Sequence, residues 1–418
     1  MKETPALSVV VASHGRPRAL RRCLLGLSQS RLRRMEVIVV ADAAGLRATS
    51  DLAFADRLKT VPQAEPNLSA ARNDGVARAA GDVVAFIDDD AVPEPTWAGA
   101  LAEAFARDAD LAAATGPVLG RNGISVQWGR MSVDRQGRDG PFSERLPAGA
   151  VLKLHGTNMA VRRDVLHDLG GFDPAFRFYL DDTDLALRLG QAGHRAVWVP
   201  RAQVHHAFAP SERRDAERVP LSLFDIGAST ASFLRKHAPD EMEAEIARLA
   251  EDQRARLFRL VRRRKLGAQA LERLTSSLRD GIAEGRGRPV GARGPASQEA
   301  AWIALHDGPS PRDEVLWGWR TRARPLRAEA ARRVAAGARV SLFLFEPTPR
   351  AHRVRFDDGG WWEQTGGLYG RSERTMPRIQ AWRFDSRLFS EIRRIGDTRF
   401  GEGGTDRFRE DAGTGIFE

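Results

Sequence analysis

The chain has 418 residues, of which 42% are hydrophobic and 29% are charged, so we expect a soluble globular protein of two or three domains and exclude a disordered or fibrous one. The net charge is +10; residues 1–210 hold 26 Lys and Arg against 24 Asp and Glu, and residues 211–418 hold 39 against 31, so the basic excess lies in the second half. No apolar run is long enough for a transmembrane helix, and the single Cys23 excludes an intramolecular disulfide and favours a cytoplasmic location.

The first 120 residues alternate short apolar runs with amphipathic stretches, which is typical of a parallel α/β sheet with helices on its faces. The apolar start is read as a first strand rather than a signal peptide. Strands are predicted at Leu7–Ala12, Glu36–Val40, Lys59–Val61, Val83–Ile87 and Leu111–Thr115. Helices are predicted at Pro17–Leu27, Leu68–Ala80 and Trp97–Phe105.

The stretch from Arg121 to Ala150 is rich in Gly and Arg and lacks periodicity, so we expect a mobile loop region. Beyond it the alternation resumes until about residue 210. The predicted elements are a core segment at Leu152–Val161, helices at Arg162–Leu169 and Asp181–Ala192, and a strand at Ala196–Val199.

The second half of the chain changes character. Helices are predicted at Leu221–His237 and Asp240–Leu274, and a helix near Arg327–Ala336 precedes a strand at Arg339–Phe345. The Gly- and Arg-rich run at 285–295 reads as a linker. The expected division is therefore a first domain over 1–215, a basic helical segment over 216–284, the linker, and a smaller α+β domain of unknown function over 296–418.

Three consecutive acids, Asp88 to Asp90, follow the buried strand Val83–Ile87. Ligands of open α/β sheets bind at this carboxyl end of the strands. Carboxylates held together there repel one another unless a cation joins them, and hard oxygen ligands suit Mg²⁺ or Mn²⁺. The alternative is a solvated acidic turn.

A second acidic group, Asp181, Asp182 and Asp184, begins a helix with apolar Leu185, Leu187 and Leu189. The helix dipole favours acids at this end, but capping needs only one of them, so one carboxylate is available as a general base. Farther along, His205 and His206 follow a predicted strand. Adjacent residues point in different directions, so we expect at most one of them to be a metal ligand.

Four motifs and the histidine occur in the order seen in family 2 glycosyltransferases of the GT-A fold, and the chain resembles that family over residues from about 6 to about 210. The motifs are VVVASHGRP, NLSAARNDGVARAAGDVVAFIDDDAVP, GTNMAVRRDVLHDLGGFDPAF and YLDDTDLALRL. His206 lies where a late metal-binding histidine is usual. The resemblance implies an α/β fold of GT-A type, with a mostly parallel sheet flanked by helices, and says nothing about the second half of the chain.

The resemblance also implies roles for individual residues. Asp182 would be the catalytic base, with Asp181 beside it. The metal, Mn²⁺ or Mg²⁺, would be held by Asp90, Asp88 and His206, with His205 as the alternative histidine. Residues expected on the nucleotide-sugar donor are Ser13, Asp42, Asn67, Arg72, Asp88 and Asp89.

The implied reaction is transfer of a sugar from a nucleotide diphosphate to a hydroxyl of a glycan or lipid-linked acceptor, with inversion at the anomeric carbon. Uridine is the expected base. His14-Gly15 stands where a Tyr-Asn pair is common, and Ala41-Asp42 where two acids are usual, so a thymidine nucleotide stays open.

Other functions are weighed against this one. A sugar nucleotidyltransferase needs a glycine-rich loop after the first strand, and SHGRPR has one glycine. A non-catalytic nucleotide-sugar scaffold is the second alternative, since fold alone does not guarantee activity. No nucleic-acid partner is expected, because no binding module is recognised. The stretch LFRLVRRRK at Leu257–Lys265 is either a peripheral contact with an anionic membrane or a solvated helix face.

Overall fold

A computed structural model describes residues 3–206, 215, 219–291, 300–405, 408 and 416–417. The strands up to residue 206 are β1 (Leu7–Ser13), β2 (Met35–Ala41), β3 (Leu58–Pro62), β4 (Val83–Asp88), β5 (Ala91–Pro93), β6 (Leu111–Thr115), β7 (Val118–Leu119), β8 (Val126–Trp128), β9 (Met131–Val133), β10 (Asp139–Pro141), β11 (Val151–Leu152), β12 (Met159–Arg162), β13 (Arg195–Trp198) and β14 (Val204–His206). The helices of this part are α1 (Pro17–Leu27), α2 (Ala43–Arg47), α3 (Leu68–Ala77), α4 (Trp97–Arg107), α5 (Arg163–Asp168) and α6 (Asp181–Gln191).

A seven-stranded sheet in the order β13-β6-β12-β4-β1-β2-β3 forms the centre of the first 206 residues. All neighbours pair in parallel except β12, which runs antiparallel to both β4 and β6. The sheet separates two hydrophobic cores. Val9 and Val11 of β1 lie in one core and Val10 in the other, because successive side chains of a strand point to opposite faces. The predicted α/β class is confirmed.

Two smaller sheets lie beside the central one. Strands β5, β14, β7 and β8 form one, and β10, β9 and β11 form the other. The expectation of an irregular loop over Arg121–Ala150 is therefore wrong in part, since β8, β9 and β10 lie within it. Each of these strands has only three residues, too few to show an alternating pattern in the sequence.

Three helices follow: α7 (Phe224–His237), α8 (Met242–Arg262) and α9 (Ala268–Gly287). They share a core that includes Leu257 and Leu278. The helix predicted over Asp240–Leu274 is divided by a break at residues 263–267, where Arg264 has a positive φ of 56°. The predicted linker at 285–295 overlaps the end of α9, and its residues 292–295 lie outside the described residues, as does residue 216 at the expected domain boundary.

The remaining strands are β15 (Asp313–Trp319), β16 (Arg339–Glu346), β17 (Arg353–Phe356), β18 (Trp362–Gly367) and β19 (Ile416–Phe417), and the remaining helices are α10 (Ala323–Ala335) and α11 (Phe384–Arg399). The strands form a five-stranded sheet in the order β17-β18-β16-β15-β19. Helix α10 packs over an apolar face that includes Leu316, Leu342 and Leu344. Helix α11 covers the other face, where Phe343 and Phe345 meet Ile392. The expected smaller α+β unit is confirmed.

The apolar side of LFRLVRRRK is used inside the protein. Leu257 is buried and Leu260 packs against the same helical core, whereas Phe258 is 49% exposed. Among the residues that the structure describes, no helix is both long enough and apolar enough to cross a membrane.

Candidate functional site

The parallel strands β1, β2 and β4 bring their carboxyl ends to one edge of the central sheet. Ser13 is the last residue of β1, Asp88 is the last of β4, and Asp42 follows β2. The Ser13 hydroxyl donates to Asp89 Oδ2 at 2.6 Å. Asp42 caps α2 by accepting from the Gly45 amide and also accepts from the Gly15 amide at 3.0 Å, so it ties the opening loop to the end of β2.

Asp88, Asp90 and His206 form the one cluster of possible metal ligands found among the described residues. One ligand atom from each lies within 4.8 Å of the others. The antiparallel pairing of β14 with β5 sets His206 opposite Ala91, immediately after Asp90, and so brings its Nε2 to 3.1 Å from Asp90 Oδ1. Two carboxylates and an imidazole are a suitable donor set for Mn²⁺ or Mg²⁺.

The orientation of the His206 ring is set from its other nitrogen. Nδ1 lies 3.3 Å from the side-chain amide oxygen of Gln127, so Gln127 and Asp90 hold the ring between them through its two nitrogens. The Trp128 ring lies 5.4 Å from the His206 ring, centroid to centroid. His205 points elsewhere and contacts Glu94, so His206 rather than His205 joins the cluster.

Arg16 supplies a positive charge beside the acids. Its guanidinium lies 2.5 Å from Asp89 and 3.1 Å from Asp90. Asp89 itself is fully buried, and its expected contact with a donor stays a prediction. Burial raises the pKa of Asp89 to about 7, while Arg16 acts in the opposite direction. Asp89 therefore holds the side chains of Arg16 and Ser13 in place.

Arg72 on α3 connects the two acidic groups. It pairs with Asp181, lies 3.3 Å from Asp88 and donates to the Gly156 carbonyl at 2.8 Å. Arg72 is only 3% exposed, and its guanidinium lies against the rings of Phe86 and Phe172. Burial raises the pKa of Asp181 to about 6 despite the opposing charge of Arg72.

Asp182 is held by the backbone of Gly156, the same residue that binds Arg72. The Gly156 amide donates to Asp182 Oδ2 at 2.8 Å. A side chain at position 156 would meet Arg72 at 2.9 Å and Asp182 at 3.2 Å, so glycine permits the close approach. The residues before the helix, Tyr179 and Leu180, have φ values of 77° and 66°. Such strain is typical of functional sites, and here it sets the angle at which α6 presents its acids.

Two polar residues of the motifs have structural partners. Asn67 caps α3 by accepting from the Ala70 amide and donates to the Pro174 carbonyl; its expected contact with a donor stays a prediction. Asp184 accepts from His237 at 2.8 Å and pairs with Lys236 and Arg188. These partners overcome burial and lower the pKa of Asp184 to about 2, so Asp184 joins α6 to α7.

A buried ionic network includes His205, the neighbour of His206 in the cluster of possible metal ligands. Glu94 accepts from the Arg399 guanidinium at 2.5 and 2.7 Å and lies 2.8 Å from His205 Nε2. The Trp362 ring contacts both Arg399 and His205. Burial alone would raise the pKa of Glu94, but Arg399 and His205 lower it to about 2. The network joins β5 and β14 to α11 and β18 of the C-terminal unit.

The sequence predictions missed Arg16, Gly156, Gln127 and the Glu94–Arg399 pair. Arg16 lies one turn after the opening strand, and the charge on Asp88–Asp90 is a signal that could have pointed to it. The other contacts join residues 26 to 305 positions apart. No local pattern marks them, so the sequence alone does not reveal them.

Comparison with known proteins gives the family. The profile of glycosyltransferase-like family 2 matches residues 5–218, which is half of the chain. The chain belongs to this family. Membership in glycosyltransferase family 2 agrees with the GT-A type of α/β fold that the motifs implied.

Curated relatives of this family 2 glycosyltransferase match it over limited lengths. The O-antigen biosynthesis protein RfbC of Myxococcus xanthus is 28% identical over 52% of this chain and 18% of its own. The N-acetylglucosaminyl-diphospho-decaprenol L-rhamnosyltransferase of Mycobacterium tuberculosis is 45% identical over 15% of this chain and 20% of its own. The chain thus spans about a fifth of the length of these relatives. Mannosyltransferase PcManGT of Pyrobaculum calidifontis, solved with GDP-Man and Mn²⁺, has a TM-score of 0.41 at 17% identity and covers 68% of this chain and 87% of its own.

Proposed function

We propose that this chain is a metal-dependent, inverting glycosyltransferase that moves a sugar from a nucleotide diphosphate donor to an acceptor hydroxyl. The observation that carries the proposal is the cluster of Asp88, Asp90 and His206, which Arg72 and Gly156 connect to Asp182 through contacts of 3.3, 2.8 and 2.8 Å. A cation site and a carboxylate base, side by side at the carboxyl edge of the sheet, are the two groups that such a transfer needs.

The cation, Mn²⁺ or Mg²⁺, would be held by Asp90, Asp88 and His206. When bound, it would supply positive charge against the donor's diphosphate as the glycosidic bond breaks. Arg16 has its guanidinium on Asp89 and Asp90 and would hold the acids in place as the cation enters.

The proton of the acceptor hydroxyl would pass to Asp182. Its Oδ2 accepts from the Gly156 amide, which fixes the carboxylate and leaves Oδ1, directed to the neighbouring Thr183 hydroxyl, as the proton acceptor. Asp181 beneath it pairs with Arg72 and would hold the helix start in place. The new bond forms as the bond to the diphosphate breaks, which inverts the anomeric carbon in a single displacement.

The donor would lie along the sheet edge above Ser13 and Asp42. Asp42 accepts from the amides of Gly15 and Gly45, which hold its carboxylate at this edge, where we propose that it contacts the nucleoside. We propose a uridine nucleotide, with thymidine as the alternative. The proposed roles of Ser13, Arg72 and Asp88 are to shape this pocket.

We propose a glycan or a lipid-linked sugar as the acceptor, in line with the names of the relatives in surface polysaccharide synthesis and on diphospho-decaprenol. A peripheral contact with an anionic membrane through the end of α8 is part of the proposal. It is supported by exposed Phe258 and the exposed basic residues at 262–265, and it fits the cytoplasmic location expected from the sequence.

Titration calorimetry tests the proposal, with UDP, dTDP and GDP each measured with and without Mn²⁺. We expect one of them to bind only when Mn²⁺ is present, and Asp90→Ala to lose that dependence. Asp110→Ala, at an exposed acid away from the cluster, serves as the control. If folded wild-type protein binds none of the three nucleotides, the transferase proposal fails.

A further inference from the structure

A cavity of about 470 Å³ opens between the hairpin turn at 136–139, the pair Tyr179–Leu180, and helices α7 and α8. We call it the α7–α8 cleft. Its volume is in the range of small-ligand sites. Both helices lie beyond residue 218, outside the part of the chain that matches the family.

One end of the cleft lies close to the proposed base. Tyr179, which lines it, stands three residues before Asp182. Burial, followed by the negative charges of Asp139 and Asp182, raises the pKa of Tyr179. Tyr179 is 44% exposed, so part of its surface is free to contact a molecule in the cleft. Such a molecule would lie near the start of the helix that carries Asp182.

A hydroxyl with no partner lies in the wall of the cleft. Thr230 on α7 lines the cleft and is only 9% exposed, and its buried Oγ1 makes no hydrogen bond among the described residues. A buried hydroxyl without a partner costs free energy, and a change of the Thr230 rotamer toward the cleft would let a bound molecule supply that partner. Leu180 and Leu234 add apolar surface beside it.

The charges that line the cleft do not favour an anion. Two arginines, Arg138 and Arg248, face three acids, Asp139, Glu245 and Asp252. The arginines are already paired, Arg138 with Glu245 and Arg248 with Glu245 and Asp252. A phosphate would therefore find no surplus positive charge, whereas a neutral molecule rich in hydroxyls could bind these carboxylates and guanidinium groups.

We propose that the α7–α8 cleft binds the acceptor as an uncharged sugar ring, stacked on Tyr179 and hydrogen-bonded to Thr230, with its reactive hydroxyl directed to Asp182. This inference rests on the proposed function, because Asp182 needs an acceptor hydroxyl within reach. It assigns acceptor recognition to the helical segment that follows the family 2 domain and limits the recognised group to a neutral sugar.

Saturation-transfer NMR tests the cleft with methyl glycosides of glucose, galactose, mannose, N-acetylglucosamine and rhamnose as probes. The protein is held with Mg²⁺ and whichever of UDP, dTDP and GDP it binds. We expect at least one glycoside to bind wild-type protein. Thr230→Val should weaken that binding about fivefold, the effect of one hydrogen bond of about 1 kcal/mol, and Thr230→Ser should restore it. The nucleotide affinity should not change.

Thr275→Val is the matched control, at an exposed threonine on α9. Equal glycoside binding in Thr230→Val and Thr275→Val would overturn the proposal. So would tighter binding of glucose 6-phosphate than of methyl glucoside, or binding of nucleotide without binding of any glycoside. If the wild-type protein binds no nucleotide, the transferase proposal fails instead.

Discussion

At the scale of single residues, the site depends on the peptide at Gly156. Its carbonyl accepts from Arg72 and its amide donates to Asp182. The backbone of one residue therefore holds both the arginine that contacts Asp88 and the proposed base. Arg16 has a comparable role for the acids that follow β4, because its guanidinium contacts both Asp89 and Asp90.

Replacing the proposed base should stop the reaction without disturbing donor binding. In Asp182→Asn the amide oxygen can still accept from Gly156, but the side chain can no longer take a proton. We expect turnover to fall by about 10² to 10⁴, measured as nucleotide diphosphate release with a panel of sugar donors. Nucleotide affinity by calorimetry should stay as in the wild type. Normal turnover in this variant would remove Asp182 from the role of base.

Gly156→Ala should reduce activity through crowding. The new methyl group would lie 2.9 Å from Arg72 Nη2 and 3.2 Å from Asp182 Oδ2, so at least one of them must move. We expect turnover to fall at least about tenfold, since small displacements of reacting groups have large effects on rate. Gly99→Ala on α4 is the control, because nothing lies within 4 Å of its new carbon. Equal activity in the two variants would contradict the prediction.

At the scale of elements, the start of α6 is held from two directions. The positive φ values of Tyr179 and Leu180 set its direction, and Asp184 one turn into the helix binds His237 and Lys236 at the end of α7. The three helices after residue 219 therefore contribute to the candidate site, because one of them, α7, supports the helix that carries Asp182.

This contact should make stability depend on acid pH. The pKa of Asp184 is about 2 in the folded protein and about 3.9 when unfolded. The stabilisation is therefore complete above about pH 5 and is lost progressively as the pH falls to about 1, most of it between pH 4 and 2, with a total of about 2.6 kcal/mol. Asp184→Asn should be less stable at pH 7 and show less loss between pH 4 and 2 by urea unfolding. Asp280→Asn, exposed on α9, should match the wild type.

Strands and helices with strong local patterns were predicted well. The runs that became β1, β2 and β4 are apolar throughout because both faces are buried, and Pro17 marks the start of α1 as expected. The strands β7 to β11 were missed because two or three residues carry no period. Strand β15 and helix α11 were missed as well. At the site, acids that follow a strand were predictable, whereas Gly156 and Glu94 depend on partners far away in the sequence.

At the scale of the whole molecule, the C-terminal unit is joined to the first domain next to the cluster of Asp88, Asp90 and His206. Besides the Glu94–Arg399 pair, Thr96 donates to the Thr398 carbonyl at 2.6 Å and Arg31 pairs with Asp313. Residues 94–96 follow β5, whose pairing with β14 sets the position of His206. The C-terminal unit thus helps to hold the strand pair that presents His206, the proposed metal ligand.

Arg399→Met should weaken both the fold and the metal site. It leaves Glu94 buried without its main partner, which costs about 3 to 5 kcal/mol. We expect a lower Tm and weaker Mn²⁺-dependent nucleotide binding. Arg393→Met, exposed on the same helix, should change neither. The double variant Glu94→Gln, Arg399→Met removes the unpaired charge and should recover part of the stability. A purely structural role would lower Tm and leave the Mn²⁺ dependence intact.

The Glu94–Arg399 pair joins residues that are 305 positions apart, which has a consequence for synthesis in the cell. At about 5 to 20 residues per second, roughly 15 to 60 seconds separate the two residues as the ribosome makes the chain. During that interval a nascent first domain would have its sheet but lack the arginine that neutralises Glu94. We expect the proposed metal site to mature only after α11 has emerged, so a stop codon before α11 would leave a domain with the family motifs intact and a poorly formed cation site.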